Sequence, residues 1–260
     1  MKTLKAGIVQ FDVSLGDVGR NLSLVRRRVR SLAAQGVRLI VLPEMWSCGF
    51  ANDRLKDFAQ ATPDILRDLS ALSKELGVII VGSLPEQVGE GIYNTAHIVD
   101  CGEMGAPYRK VHLFTPTEED RYFLPGRQAM VVPTSLGRIG LMICYDLRFP
   151  EMCRALTLKG AWMIAVMAQW PAVRISHWDI LLRARAVENQ SFILGANRSG
   201  RDDGLIYGGH SRIVSPYGEV LARANKRSGT ISAMIDPHML ARAREQIPCL
   251  EQRIPEVYGG

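Results

Sequence analysis

The feature that most constrains the fold is an alternation of short apolar runs with amphipathic helical repeats. Leu4–Phe11 reads as a strand. Asp17 then stands ahead of Val18, Leu22, Val25, Val29 and Leu32, one apolar stripe at helical spacing, and Gly36 closes it. Val37–Leu42 is a largely apolar run, the kind buried on both faces of a parallel sheet. Thr62-Pro63 predicts the start of a second helix, with Ile65, Leu66, Leu69, Leu72 and Leu76 on one face and Gly77 after it. Val78–Gly82 is the next strand. The theme returns with strands at Arg138–Ile143, Ala161–Met167 and Ser191–Asn197 and helices at Pro150–Lys159 and Ser176–Gln190.

A strand-rich stretch follows: Ser211–Ser215, Glu219–Ala224 and Thr230–Ile235, with turns at Pro216-Tyr217-Gly218 and Arg227-Ser228-Gly229. No short repeat or linker interrupts the chain, so an α/β fold in a single domain, residues 1–260, is expected. Residues 237–260 read differently. A short helix near Met239–Gln246 gives way to two proline-bearing apolar segments, which suit a C-terminal arm packed on its own domain or on a partner subunit.

Composition removes several classes of function. No apolar run approaches the ~18 residues of a membrane span, and Met1–Lys5 leads directly into a core strand rather than a signal peptide. A cytoplasmic protein with no membrane partner is the simplest expectation. The formal charge is +6, but the densest basic cluster, Arg26–Arg30, lies within a helical pattern and reads as its polar face. No aromatic-interleaved basic stripe points to nucleic acid. The five cysteines are odd in number and widely spaced, without a C-x-x-C, which fits neither a disulfide framework nor a zinc ribbon. The five histidines contain no His-x-x-x-His pair, so a zinc site is unsupported.

Three polar residues follow apolar strands: Glu44 after Val37–Leu42 and Pro43, Lys110 after Tyr108-Arg109, and Cys144 after Ile139–Ile143. Sites in α/β sheets gather at the carboxyl ends of strands. The three residue types make chemical sense together. A thiol with pKa ~8.5 is mostly protonated at neutral pH and needs a base, which a partly buried carboxylate supplies. Attack on an amide carbonyl creates an oxyanion, which an ammonium and a backbone N–H can stabilise, each worth roughly 3 kcal/mol. A sharp turn after Cys144 would expose both the sulfur and the N–H of Tyr145. Taken singly, each residue has a plainer reading: a buried small thiol, a cap, a solvated lysine.

The wording around these residues resembles the nitrilase, or carbon–nitrogen hydrolase, superfamily along nearly the whole chain. The segments are Leu42-Pro43-Glu44-Met45, Tyr108–Phe114 around Lys110, and Gly140–Glu151 around Cys144. Order and spacing match that family's Glu–Lys–Cys triad. The family also has a second glutamate ahead of a Pro-Gly; Glu119, eight residues through Gly126, fits, with Glu118 adjacent. The resemblance implies a four-layer α-β-β-α sandwich, a homodimer or higher homo-oligomer with arms crossing between subunits, and no cofactor. It implies Glu44 as base, Cys144 as nucleophile, Lys110 and the Tyr145 N–H around the oxyanion, and Glu119 orienting Lys110.

Ala168–Trp178, Ala184–Gln190 and Asn197-Arg198-Ser199-Gly200 resemble the ω-amidase-like branch, whose substrates are small amides carrying a carboxylate, such as 2-oxoglutaramate. Arg174, and after it Arg148, could hold that carboxylate bidentately, unless they pair instead with Asp146, Glu151 or Asp179. Trp170 could wall the pocket or fill the core. The alternatives are an N-carbamoyl amino acid or carbamoyl-polyamine amidohydrolase, a nitrilase, and a catalytically silent binding protein on the same fold.

Overall fold

The computed structural model describes residues 2–202 and 204–258. In chain order the strands are β1 Leu4–Gln10, β2 Val37–Val41, β3 Ile79–Val88, β4 Gly91–Asp100, β5 Glu103–Met104, β6 Tyr108–Arg109, β7 Val131–Thr134 and β8 Gly137–Ile143. They continue with β9 Met163–Ala168, β10 Phe192–Asn197, β11 Ser199–Asp202, β12 Leu205–Gly208, β13 Arg212–Val214, β14 Val220–Arg223 and β15 Gly229–Ile235. The helices are α1 Val18–Ala34, α2 Leu55–Leu76, α3 Pro150–Leu158, α4 Ile175–Asn189, α5 Pro237–Gln246 and α6 Pro255–Tyr258.

Two sheets carry the fold, one ordered β15-β1-β2-β3-β4-β5 with β6 on β4, the other β14-β13-β10-β9-β8-β7. At the centre of each, β1-β2-β3 and β8-β9-β10 run parallel. Side-chain alternation explains their apolar sequences. In β2, Leu39 and Val41 enter the core shared with Leu141, Ile143, Ile164 and Leu194 of the other sheet. Val37 and Ile40 point the opposite way, onto Val25, Val29 and Leu32 of α1 and Ile65 and Leu69 of α2. On the far side, Leu156 of α3 and Trp178 and Leu182 of α4 pack against the outer face of the second sheet, over Gly140 and Gly195. The layers are therefore α-β-β-α, as the resemblance implied.

The helices end where the sequence indicated. Asp17 accepts a hydrogen bond from the Arg20 N–H at 3.0 Å, capping α1, and Gly77 takes the left-handed conformation that stops α2. The predicted start of α2 needs correction. It begins at Leu55, and Pro63 lies inside it. An internal proline costs a helix about 3 kcal/mol or more. Here Leu55, Phe58 and Ala59 bury against Met45, Ile92 and Phe123, and that contact sustains the extra turns. The arginine-rich face of α1 lies along α2, with Arg26 paired to Asp68 and Arg30 to Glu75. No helix among the described residues is long and apolar enough to cross a membrane.

Candidate active site

Glu44 follows β2 in a turn that the neighbouring strand shapes. The Met45 N–H donates to Ser83 Oγ at 2.8 Å, and Met45 adopts a φ of +45°. Trp46 packs over the backbone of Gly82 so closely that a Cβ there would stand 2.8 Å from its ring. Lys110 follows β6, its N–H donating to the Asn94 carbonyl at 2.9 Å and its carbonyl accepting from Gly126 at 2.7 Å. Cys144 follows β8 at a φ of +47°, a left-handed position that costs a non-glycine residue about 1–3 kcal/mol. Asp146, fully buried, holds this elbow. Its Oδ2 accepts from the Ile143 N–H at 2.8 Å and from the Tyr108 hydroxyl at 2.7 Å, and its Oδ1 accepts from the His112 N–H at 3.1 Å. Tyr145 enters the first turn of a short 3-10 segment, where N–H groups have no intrahelical acceptor.

These turns bring the sequence-selected groups together. Lys110 Nζ lies 2.9 Å from Glu44 Oε1 and 2.8 Å from each Glu119 oxygen, with all three side chains almost completely buried. The positive φ of Glu118 separates the two adjacent acids. Glu119 turns inward and also accepts from the Phe114 N–H at 2.7 Å, while Glu118 stays exposed, paired with Arg121. Glu44, Lys110, Glu119 and Cys144 line one cavity of about 180 Å³ with Tyr145, Arg148, Trp170 and Arg174.

Three residues that the sequence did not mark for a role complete the cluster. Asn94 Nδ2 donates to Glu44 Oε1 at 2.9 Å. The Gln169 backbone N–H donates to Glu44 Oε2, and Gln169 Nε2 donates to the Glu44 carbonyl, both at 2.9 Å. Arg198 in turn holds Gln169. Gln169 follows directly on β9 and so shares the strand-end placement of Glu44, Lys110 and Cys144; that position is the one sequence signal that could have found it. Asn94 lies within a mixed polar and apolar strand and carries none.

Burial raises the Glu44 carboxyl above its ordinary range; Lys110 opposes this and Glu119 adds to it. Burial also raises the Cys144 thiol well above its ordinary value, as does Glu44, while Lys110 and the Gln169 N–H pull it down. For Lys110, burial works against the charge, but Glu44, Glu119 and Cys144 outweigh it and hold the ammonium above its usual range. The resting sulfur is therefore a thiol beside a carboxylate whose basicity burial has increased.

The two arginines at the mouth differ from the inner cluster. Arg148 lies 4.7 Å over the Trp170 ring, with His177 Nδ1 at 3.4 Å from Nη1. Burial and Arg174 both lower its pKa. Arg174 lies 5.4 Å from the Phe114 ring centre. Among the described residues, no carboxylate comes within ion-pair distance of either. Asp146 is taken by Tyr108 and His112, and Asp179 by Arg212 at 2.5 Å. Trp170 both lines the cavity and packs on Trp178 at 5.5 Å.

A layered sandwich with this cluster at its strand ends defines a hydrolase of carbon–nitrogen bonds, and the chain belongs to the carbon–nitrogen hydrolase family, whose model matches residues 5–245. It is similar to the 2-oxoglutaramate amidase of Bacillus subtilis, 34% identical over 96% of this chain and 97% of that one. It is equally similar to a chloroplastic ω-amidase of Arabidopsis thaliana, 34% identical over 97% of this chain and 73% of that one. A solved amidase from Nesterenkonia sp. AN1 superimposes with a TM-score of 0.88 at 28% identity, covering 98% of this chain and 95% of that one. That structure carries the acetamide moiety of fluoroacetamide covalently added at its active-site cysteine.

Proposed function

We propose that the chain is an ω-amidase-type amidohydrolase that removes the terminal amide of a small carboxylate-bearing substrate, of the 2-oxoglutaramate kind, through a thioester on Cys144. The observation that carries the chemistry is the buried Glu44–Lys110–Glu119 cluster facing the Cys144 sulfur. The pair of arginines without carboxylate partners at the cavity mouth supports a substrate carboxylate, as do the names of the relatives.

Glu44 takes the thiol proton as the sulfur attacks the amide carbon. The oxyanion accepts from Lys110 and from the Tyr145 N–H. An ammonium has three donors; with one on Glu44 and one shared by the two Glu119 oxygens, the third is free for the oxyanion. Glu44 then passes its proton to the nitrogen, the C–N bond breaks and ammonia leaves a thioester. Water gives a proton to Glu44 and attacks the thioester, and collapse releases the carboxylic acid, which ionises in water, and a thiolate that recovers the proton from Glu44. The covalent adduct of the Nesterenkonia amidase supports a cysteine-bound intermediate by analogy.

Ammonia release from 2-oxoglutaramate, 2-oxosuccinamate, glutamine, carbamoyl compounds and nitriles, run in parallel, tests the reading. Turnover of the two oxo-acid amides is expected; turnover confined to carbamoyl compounds or nitriles would replace this substrate class. Stoichiometric labelling of Cys144 with no turnover on any of them would favour a silent binding protein.

The chain is further proposed to work as a homodimer or larger homo-oligomer. Ile180 and Val187 of α4 and Ile247, Val257 and Tyr258 of the C-terminal arm are exposed apolar residues, and α5 is tied to the domain through Gln190. Light scattering on the eluting protein measures the mass; a monomer at micromolar concentration would reject this. All five cysteines are free, which suits a reducing compartment such as the cytoplasm.

A further inference from the structure

The hydrogen bonds around Glu44 continue past Gln169. Gln169 Oε1 accepts from Arg198 Nη1 at 2.9 Å. Arg198 follows β10 and is fully buried. Its Nη1 also donates to Asp202 Oδ2 at 2.5 Å, and its Nη2 to the Val13 carbonyl at 2.8 Å and Asp12 Oδ1 at 3.4 Å. The guanidinium covers the Tyr207 ring at 4.1 Å. Asp202 ends β11 and Tyr207 lies in β12, so one side chain ties the hairpin bearing the cavity-lining Leu205 and Tyr207 to Gln169. The Asn197-Arg198-Ser199-Gly200 run is built for this. Gly200 has a φ of +87° and sits against Asp12 so tightly that a Cβ would lie 1.9 Å from the Asp12 carboxyl carbon. Burying a guanidinium is costly where apolar packing would serve equally well for stability. The position of Arg198 behind Glu44 supplies another reason for it.

We propose that Arg198 is a positioning residue: it holds the Gln169 side chain and the β11–β12 hairpin in one arrangement, which keeps the Gln169 backbone N–H on Glu44 Oε2. The inference rests on the reading of Glu44 as the proton-transfer group. Lys110, Glu119, Cys144 and Tyr207 also face Glu44, so the readout is the change on cutting this one link.

The full chain is compared with Arg198→Lys, with Arg198→Met combined with Asp202→Asn so that the buried Asp202 carboxylate is not stranded beside the new methionine (the Asp12 carboxylate is half open to water), and with Glu44→Gln. Circular dichroism and thermal unfolding establish which variants fold. Kinetics use the amide that the panel turns over fastest, and Cys144 alkylation by iodoacetamide, followed by mass spectrometry across pH, reads the site without substrate. In the folded Arg198 variants kcat falls about 10- to 100-fold with little change in KM, the scale of a small misplacement of a reacting group. The acidic limb of both pH profiles moves to higher pH, because a carboxylate that loses a donor holds its proton more tightly. Arg198→Lys, which keeps the charge and part of the bonding, retains more kcat than the double variant. A folded Arg198→Lys or double variant with wild-type kcat and an unmoved acidic limb overturns the inference. Glu44→Gln with near wild-type turnover overturns the reading of Glu44 and this inference with it. An inactive Glu44→Gln beside unperturbed Arg198 variants overturns this inference alone.

Discussion

The two sheets deliver unlike things to the same cavity. The strands β2 and β6 of one sheet, with the turn that follows, carry the inner charges Glu44, Lys110 and Glu119, already paired with one another. The strands β8 and β9 of the other carry the sulfur of Cys144 and the N–H groups of Tyr145 and Gln169, and add no charge to the cluster. The lesson is a division of labour. One half of the sandwich fixes the ionised groups, with Asn94 as a neutral donor among them, and the other fixes where the sulfur and the backbone donors stand. Gln169 is the crossing point, since both its amide groups reach across the interface to Glu44.

The sharpest way to break this comparison is to remove one contribution at a time. Cys144→Ala takes the sulfur and leaves the ion cluster whole. Turnover is expected to fall about 10⁴-fold or more, with the thermal midpoint preserved and substrate still bound in calorimetry. Loss of folding instead would show that the second sheet is not the neutral partner described. Lys110→Met makes the complementary cut. It strands two facing carboxylates in the interior, at a cost of about 3–5 kcal/mol, and turnover is lost as well. The pH dependence has a definite sign. A carboxyl such as Glu44, whose folded pKa burial raises above the unfolded value, costs stability at high pH and returns it as pH falls through the folded value. Urea unfolding of Lys110→Met at pH 8 and pH 5.5 should therefore show a smaller deficit at the lower pH. A deficit independent of pH would mean that Lys110 does not govern the charge of Glu44.

How much of this the sequence discloses follows from the same division. The central strands are legible because they are buried on both faces, so that Val37–Leu42 and Ile139–Ile143 are nearly free of polar residues. The start of α2 is not legible, since a proline inside a helix looks locally like a beginning, and only the burial of Leu55, Phe58 and Ala59 in a cluster built from distant parts of the chain extends the helix past it. Strand β4 is hidden for a different reason. Asn94, Thr95 and His97 are polar residues buried in its middle, and they erase the apolar pattern that marks a strand. In the site, Glu44, Lys110 and Cys144 stand out by residue type at strand ends. Asn94, Gln169 and Arg198 act through where their N–H groups point, and no spacing along the chain encodes that.

A smaller effect is expected at the mouth, where charge is present without a carboxylate partner. On the proposed reading, Arg174→Gln and Arg148→Gln would each remove one charge-assisted contact to a substrate carboxylate. Each is expected to raise KM about 10-fold, and both together about 100-fold, with kcat nearly kept. An amide without a carboxylate should be insensitive to both changes. If KM for the charged and uncharged amides moves equally, the arginines shape the mouth rather than bind the acid.

The smallest effect tests why the first sheet tolerates buried charge only where partners exist. His97, buried in β4, has an Nε2 with no hydrogen-bond partner. Burial holds its pKa down to about 4 from 6.5, with Arg109 acting in the same direction and Glu86 against. Lys110, as deeply buried, keeps its charge because two carboxylates meet it; His97 has no such contact and stays neutral. Below pH 6.5 the unfolded chain takes up a proton that the folded chain refuses, so stability falls as pH drops from 6.5 toward 4. Between pH 7 and pH 5 the loss attributable to this residue is roughly 2 kcal/mol. His97→Gln, which cannot titrate, should flatten that part of the stability profile in urea unfolding, whatever its effect at pH 7. An unchanged slope would mean that His97 accepts its proton in the fold, and that burial without a partner is no barrier to charge on this sheet.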